Sequence, residues 1–266
     1  MLKKILITGC DGYIGWPFFL KTALKNKNYK IIGVDNFGRR KWVKEVKEKS
    51  FTKIYSLNER LKELKKISKR KNFRFINLDL TNYKKTSSLI KKFKPDIIFH
   101  LAAQPSAPYA NSNPQRATYT NYNNNQSTLN ILWALKKNNL LKTIFVETTT
   151  TGVYGTPDFN INEGFNILNK NPIPFHNLGG SWYHISKSND CNYLWLANRL
   201  WGLTVIDFRT AITLGLNTSE TKLSKKFLNR FDYDFYFGVV ANKFIIRSIH
   251  NKKIEIYGKG KQKKPF

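Results

Sequence analysis

Three glycines arrive within seven residues of one another, directly after a short apolar run: Lys3-Lys-Ile-Leu-Ile-Thr8 leads straight into Gly9-Cys-Asp-Gly12-Tyr-Ile-Gly15. A buried strand ending in such a loop lets the backbone approach a pyrophosphate and aims the next helix N-terminus at it. The continuation fits. Trp16 to Asn26 reads as a helix whose Pro17 sits in the tolerated first turn, and Lys30-Ile-Ile-Gly-Val34 reads as a second strand ending on Asp35. A carboxylate about twenty residues beyond the last glycine accepts hydrogen bonds from ribose hydroxyls and repels a 2′-phosphate. The cofactor expected from the loop and Asp35 is therefore NAD rather than NADP, with Arg39 and Arg40 close enough to temper that preference.

A second motif lies far along the chain. Tyr183-His-Ile-Ser-Lys187 puts a phenol and an ammonium on one face of a helix. A cation about 4 Å from a phenol, at an effective dielectric of about 20, favours the phenolate by about 4 kcal/mol. That is roughly three pH units, enough to poise Tyr183 as a base near neutrality. Thr150, closing the strand-like stretch that begins at Thr143, stands where it can hydrogen-bond the same substrate hydroxyl. His184 has two readings, a carrier of protons later in the cycle or a packed helix residue.

Between the motifs, strands and helices alternate. Leu57, Leu61, Leu64 and Ile67 recur at helical spacing on a lysine-rich surface helix. Phe73 to Leu78 is a strand ending at Asp79, which points toward the adenine edge of a bound dinucleotide. Asp96 to Ala103 is another strand, Pro114 to Asn139 a long helix, Trp182 to Leu200 the helix carrying Tyr183, and Leu203 to Phe208 the strand after it. Such a series implies an α/β fold with a doubly wound parallel sheet, the Rossmann arrangement. We expect residues 1–210 to form the dinucleotide-binding domain, with the Tyr-x-x-x-Lys helix inside it, and 211–266 a partial substrate-binding lobe.

The net charge of +29 invites a nucleic-acid partner. The lysines are nonetheless spread over amphipathic helices and loops instead of forming one aromatic-laced stripe, so solvated faces account for them and no nucleic-acid partner is expected. Lys259 to Lys264 is the densest run and suits the phosphates of a substrate. Cys10 and Cys191 are the two cysteines, too far apart in sequence for a metal or redox spacing. The apolar run at the start is too short for a signal peptide, and no segment reaches the roughly 20 apolar residues of a membrane span. A cytoplasmic protein is expected.

Gly9 to Gly15, Asp35-Asn36, His100-Leu-Ala-Ala103, Asn124, Thr150 with Val153-Tyr-Gly155, and Tyr183 with Lys187 together resemble the extended short-chain dehydrogenase/reductase family of nucleotide-sugar epimerases and dehydratases. The resemblance covers essentially the whole chain. It implies NAD held by Gly9, Gly12, Tyr13, Ile14 and Gly15, by Asp35, Asn36 and Arg39, by Asp79 and Leu80, by Leu101, Ala102, Ala103 and Asn124, and by Tyr183 and Lys187. Catalysis would rest on Thr150, Tyr183, Lys187 and His184, acting on a UDP-linked hexose by transient oxidation at C4. Helix-paired homodimers are usual in the family.

Within the family, the segments Asp11 to Trp16, Val34 to Asn36 with Arg39-Arg40, Ser106 to Tyr109, Tyr154 to Pro157, and Arg230 to Asp234 with Phe237-Gly238 resemble the sulfoquinovose synthase branch, which adds sulfite to UDP-glucose. Two departures weigh against that chemistry. Val153 stands where the branch has a glutamate, and Pro105 where it has an arginine, removing an acid/base group and an anion clamp. The ordinary 4,6-dehydratases carry Asp-Glu after the threonine, where this sequence has Thr151-Gly152. The family also continues past Pro265-Phe266, so the substrate lobe is expected to be C-terminally truncated. A non-catalytic NAD-binding protein is the alternative from another class.

Overall fold

A computed structural model of the chain describes residues 2–25, 27–155, 161, 165–168, 171–174 and 179–256. Six strands, β1 (Lys3–Thr8), β2 (Tyr29–Asp35), β3 (Phe73–Asn77), β4 (Ile97–His100), β5 (Ile144–Thr150) and, later in the chain, β8 (Val205–Thr210), form one sheet in the order β3-β2-β1-β4-β5-β8. Every pairing in it is parallel. Between β5 and β8 lies an antiparallel hairpin of β6 (Phe165–Leu168) and β7 (Asn171–Pro174).

Parallel strands need crossovers, and helices supply them. In chain order they are α1 (Gly15–Lys25), α2 (Gly38–Glu45), α3 (Leu57–Ser68), α4 (Tyr83–Phe93), the short α5 (Ala107–Ala110), α6 (Pro114–Lys137), α7 (Trp182–Trp201) and α8 (Val240–Ile249). Their starts are written locally. Ser56 and Glu59 form a capping box on α3, Asn82 caps α4, Asn113 caps α6 ahead of Pro114, and Ser181 caps α7. Gly202, with φ of 66°, closes α7.

The two faces of β1 show why the sheet is covered on both sides. Leu6 faces a layer built with Ile98, Phe145, Ile131, Leu135 and Leu194, so α4, α6 and α7 cover that side. Ile5 and Ile7 face the other layer, with Phe19, Leu20, Leu64 and Phe73. A strand buried on both faces reads as a continuous apolar run, as Ile5-Leu-Ile7 does.

The expected strands and helices occupy the expected places, with shifted ends. Asp96 to Ala103 forms only the short β4, because the chain leaves the sheet after His100 to make the wall of a cleft. Helices α2, α4, α5 and α8 and the β6–β7 hairpin were not anticipated; α2 and α4 are short, lysine-rich segments whose apolar stripe is narrow. The run Ile254-Glu-Ile-Tyr257 reads as strand-like in the sequence, but Ile254 to Ile256 lie in no strand, and Tyr257 falls outside the described residues. Among the described residues no helix is long and apolar enough to cross a membrane. The Lys259–Lys264 run falls outside the described residues.

After β8 the chain turns back over the glycine loop. Phe227 inserts into the second core layer, and its carbonyl accepts from Trp16 Nε1 at 2.9 Å. Arg60 donates to the Leu228 carbonyl at 2.8 Å, Asn229 to the Tyr13 carbonyl at 2.9 Å, and the Tyr13 hydroxyl to the Gly215 carbonyl. The C-terminal segment is thus built onto the first βαβ unit.

Candidate active site

The carboxyl ends of β1 to β4 open into one cleft. Gly9 and Gly12, Asp35, Asn36 and Arg39, Asp79 and Leu80, and Leu101, Ala102 and Ala103 all line it. Trp42, Asn123 and Ser127 line it too and were not anticipated. The loop is tight enough to demand glycine. A Cβ on Gly15 would lie 1.9 Å from the Gly9 carbonyl oxygen, and Gly9 itself has φ of 70°, with Leu101 and Ala102 backbone 2.7 Å from any Cβ. This cradle, with an acidic strand end beside it, fits a dinucleotide.

Asp35 is fixed by backbone donors. One carboxylate oxygen accepts from Asp11 N at 2.8 Å and the other from Phe37 N at 2.7 Å, leaving lone pairs on both for a ribose diol. Burial pushes its carboxyl up to about 6, only partly offset by the Asp11 N–H. Arg39 and Arg40 are already engaged. Arg39 donates to Asp232 at 2.6 Å, and Arg40 grips both oxygens of Asp11 at 2.6 and 2.9 Å. Asp79 accepts from the backbone and hydroxyl of Thr81.

Tyr13, Ile14, Gly15, Asn124, Tyr183 and Lys187 lie outside the cleft lining. Gly15 opens α1, and the Tyr13 backbone is tied to Asn229. Asn124 is buried; its Oδ1 accepts from Gln104 N at 2.8 Å and its Nδ2 donates to Ser186 Oγ at 3.0 Å, which staples the β4–α5 loop to α7.

Thr150 is the last residue of β5, and its hydroxyl accepts from Gly152 N at 3.1 Å in the 3-10 turn Thr151–Tyr154. Helix α7 packs against β5 and this turn. The His184 ring sits over Gly152, where a Cβ would come within 2.4 Å of its Nε2, and its Nδ1 meets Ser181 Oγ at 3.0 Å. Thr150, Tyr183, His184 and Lys187 therefore gather at one corner.

The lysine acts on Tyr183 in the direction the motif predicts, but other groups outweigh it. Lys187 Nζ donates to Glu147 Oε1 of β5 at 2.7 Å and to Asp190 Oδ2 at 2.8 Å, and all three side chains are nearly or wholly shut from solvent. Burial raises the Tyr183 phenol, Lys187 lowers it, and Asp190 and Glu147 raise it again, so it stays above its ordinary value. Burial works against the Lys187 ammonium, but the two carboxylates more than offset this and hold it well above the usual lysine range. Glu147 and Asp190 were missed by the sequence reading. A lone acid inside the apolar run Ile144-Phe-Val-Glu147 and an acid three residues after the lysine were the signals available.

A phosphate-ready glycine loop under a doubly wound parallel sheet, with Tyr-x-x-x-Lys beside the strand that ends in threonine, defines a Rossmann protein of the short-chain dehydrogenase type. Residues 5–266 match the NAD dependent epimerase/dehydratase family, and the chain belongs to it. Among curated relatives, it is 32% identical over 268 residues to the chloroplastic UDP-sulfoquinovose synthase of Spinacia oleracea, covering 99% of this chain and 55% of the relative. It is 35% identical over 269 residues to the UDP-sulfoquinovose synthase of Sulfolobus acidocaldarius, covering 99% of this chain and 67% of that one. The chain thus spans about half the length of the first of these and two thirds of the second. Among solved structures, the UDP-N-acetylglucosamine 4-epimerase of Methanobrevibacter ruminantium shares the fold, with a TM-score of 0.66 at 24% identity over 98% of this chain and 67% of that one.

Proposed function

We propose that this chain is the cofactor-binding and catalytic part of an NAD-dependent enzyme that transiently oxidises C4 of a UDP-linked hexose, as nucleotide-sugar epimerases and dehydratases do. The observation that supports the reading is that Thr150 ends β5, the strand whose Glu147 holds Lys187 of the Tyr183 helix, in the same parallel sheet whose β1 and β2 carry the glycine loop and Asp35. Thr150 hydrogen-bonds the sugar 4-hydroxyl while Tyr183 accepts its proton. Lys187 holds the nicotinamide ribose. NAD, held by the glycine loop and Asp35, would supply the hydride acceptor for C4 and the hydride donor for the reverse step. The C4 ketone acidifies the C5 hydrogen, so inversion or elimination can follow on the sugar.

Asp35 favours the unphosphorylated ribose, and the pairing of Arg39 with Asp232 and Arg40 with Asp11 supports NAD over NADP. Residues 211–266 belong to the substrate lobe in this reading. Trp133 on α6 and Leu196 and Leu200 on α7 are exposed by 46%, 46% and 62%, which supports pairing of these helices with a second copy. A cytoplasmic location is part of the same proposal.

A second reading is sulfonation, favoured by the 32% and 35% identity to two UDP-sulfoquinovose synthases. Val153 is wholly buried and apolar, and Pro105 carries no charge, so the groups that branch of the family uses there are missing. Incubation with UDP-glucose and NAD, with and without sulfite, separates the readings by NMR and mass spectrometry. A 4-ketose or a C4 or C5 epimer is the expected product. Formation of UDP-sulfoquinovose in the sulfite arm establishes the second reading, and NAD binding without turnover of any nucleotide sugar establishes a non-catalytic protein.

A further inference from the structure

Lys187 has three N–H donors, and two of them are spent on Glu147 and Asp190. Each carboxylate is braced from α6. Thr128 Oγ1 donates to the Glu147 oxygens at 3.2 and 3.3 Å, and Asn125 Nδ2 donates to Asp190 Oδ1 at 2.9 Å. In the sheet, Glu147 stands in register between His100 of β4 and Asp207 of β8. Asp207 is occupied by Arg209 at 2.7 Å. His100 is neutral: burial and then the Lys187 charge push its imidazole down to about 3, and Thr8 Oγ1 lies 2.7 Å from its Nδ1. Tyr183, one turn before Lys187, and Cys191, beside Asp207, are further ionisable groups near the cluster among the described residues.

Two carboxylates against one ammonium are more than an ion pair needs. Burying surplus negative charge is costly, and the site shows that cost: burial and then the Glu147 carboxylate push Asp190 up to about 7. The second carboxylate is therefore more than the Lys187 ion pair requires, which suits a role in setting the charge that the lysine presents.

We propose that Glu147 is a positioning residue for the Tyr183–Lys187 pair: it draws the Lys187 ammonium onto β5 and, with Asp190, divides its charge, leaving a single N–H for the nicotinamide ribose and only part of a positive charge for Tyr183. The proposal rests on the roles given above to Tyr183 and Lys187. Its consequence is that Tyr183 titrates under control of Glu147 and Asp190, so that neutralising either acid makes the tyrosine a stronger acid.

The test uses tyrosine labelled with 13C at Cζ, the Tyr183 resonance being assigned by its loss in Tyr183→Phe. Titration of the wild-type chain, Glu147→Gln and Asp190→Asn then reads the tyrosine directly. Both variants should move the Tyr183 midpoint down by on the order of one pH unit or more, since each removes one of the two negative charges that raise it. In an active enzyme the acidic limb of kcat should move to lower pH by a similar amount. A midpoint that stays or rises in a folded variant overturns the proposal, and so does loss of folding in both variants, which would make the acids purely structural. The titration needs neither substrate nor turnover, so failure of the enzymatic reading and failure of the Glu147 role are read by separate measurements.

Discussion

Tyr183 and Lys187 lie one helical turn apart, yet burial first, and then the Asp190 and Glu147 carboxylates that hold Lys187, offset the lysine's effect on the phenol. A tyrosine whose acidity is restrained in this way still depends on its hydroxyl for catalysis. Tyr183→Phe should lower turnover by on the order of 10²- to 10⁴-fold while NAD binding, read by fluorescence titration, survives. Lys187→Met should impair both, since it removes the ribose contact and leaves two buried carboxylates with no counter-charge. Asp35 carries a separate, pH-dependent prediction. With its carboxyl pushed up to about 6, it is charged above that pH and protonated below it. Repulsion of a 2′-phosphate should therefore weaken as pH falls, so the ratio of NAD to NADP affinity should be larger at pH 8 than at pH 5. A ratio that is flat with pH, or larger in acid, would show that Asp35 does not set the choice.

At the scale of elements, the glycine loop and the helix starts act locally, and their effects separate. Gly15→Ala puts a methyl 1.9 Å from the Gly9 carbonyl oxygen, so the loop must open, and NAD binding should be lost even where circular dichroism shows a folded chain. Ser56→Ala removes the capping box of α3, far from the cleft, and should cost about 1 kcal/mol of stability in a denaturant melt with NAD affinity unchanged. These elements were also the legible ones. β1, the glycine loop, β2 and Asp35 follow one another within thirty-five residues, and the 24-residue α6 carries Asn113-Pro114 at its start. Helices α2 and α8 were not legible, because neither has a side-chain cap, and their amphipathic stripes make sense only against Tyr109 and Asp232, brought near by the fold.

Over the whole molecule, one buried knot joins the first βαβ unit to the last segment. Asp11, inside the glycine loop, accepts from Arg40 at 2.6 and 2.9 Å and from Arg60 at 3.4 Å, with Arg230 at 3.9 Å. Burial pulls Arg60 and Arg230 down to about 10, with Asp11 working against that pull, so this carboxylate is the centre of the knot. Asp11→Asn should cost on the order of 3–5 kcal/mol, seen as a lower melting temperature, and should weaken NAD because the loop loses its anchor. A melt unchanged from wild type would show the arginines to be solvated independently. The cofactor loop, the acidic end of β2, the Tyr-x-x-x-Lys helix and the alternating βαβ series were determined by the sequence alone, because each depends on residues near one another in the chain and on strand or helix periodicity. Only the tertiary structure decided that Arg39 and Arg40 are already paired, that Asn124 is a staple between loop and helix, and that Lys187 is shared with Glu147 and Asp190. The Lys187–Glu147 contact depends on which charges meet in a water-free interior, where a neighbour at 2.7 Å outweighs any motif, and the forty residues between them carry no information about that distance.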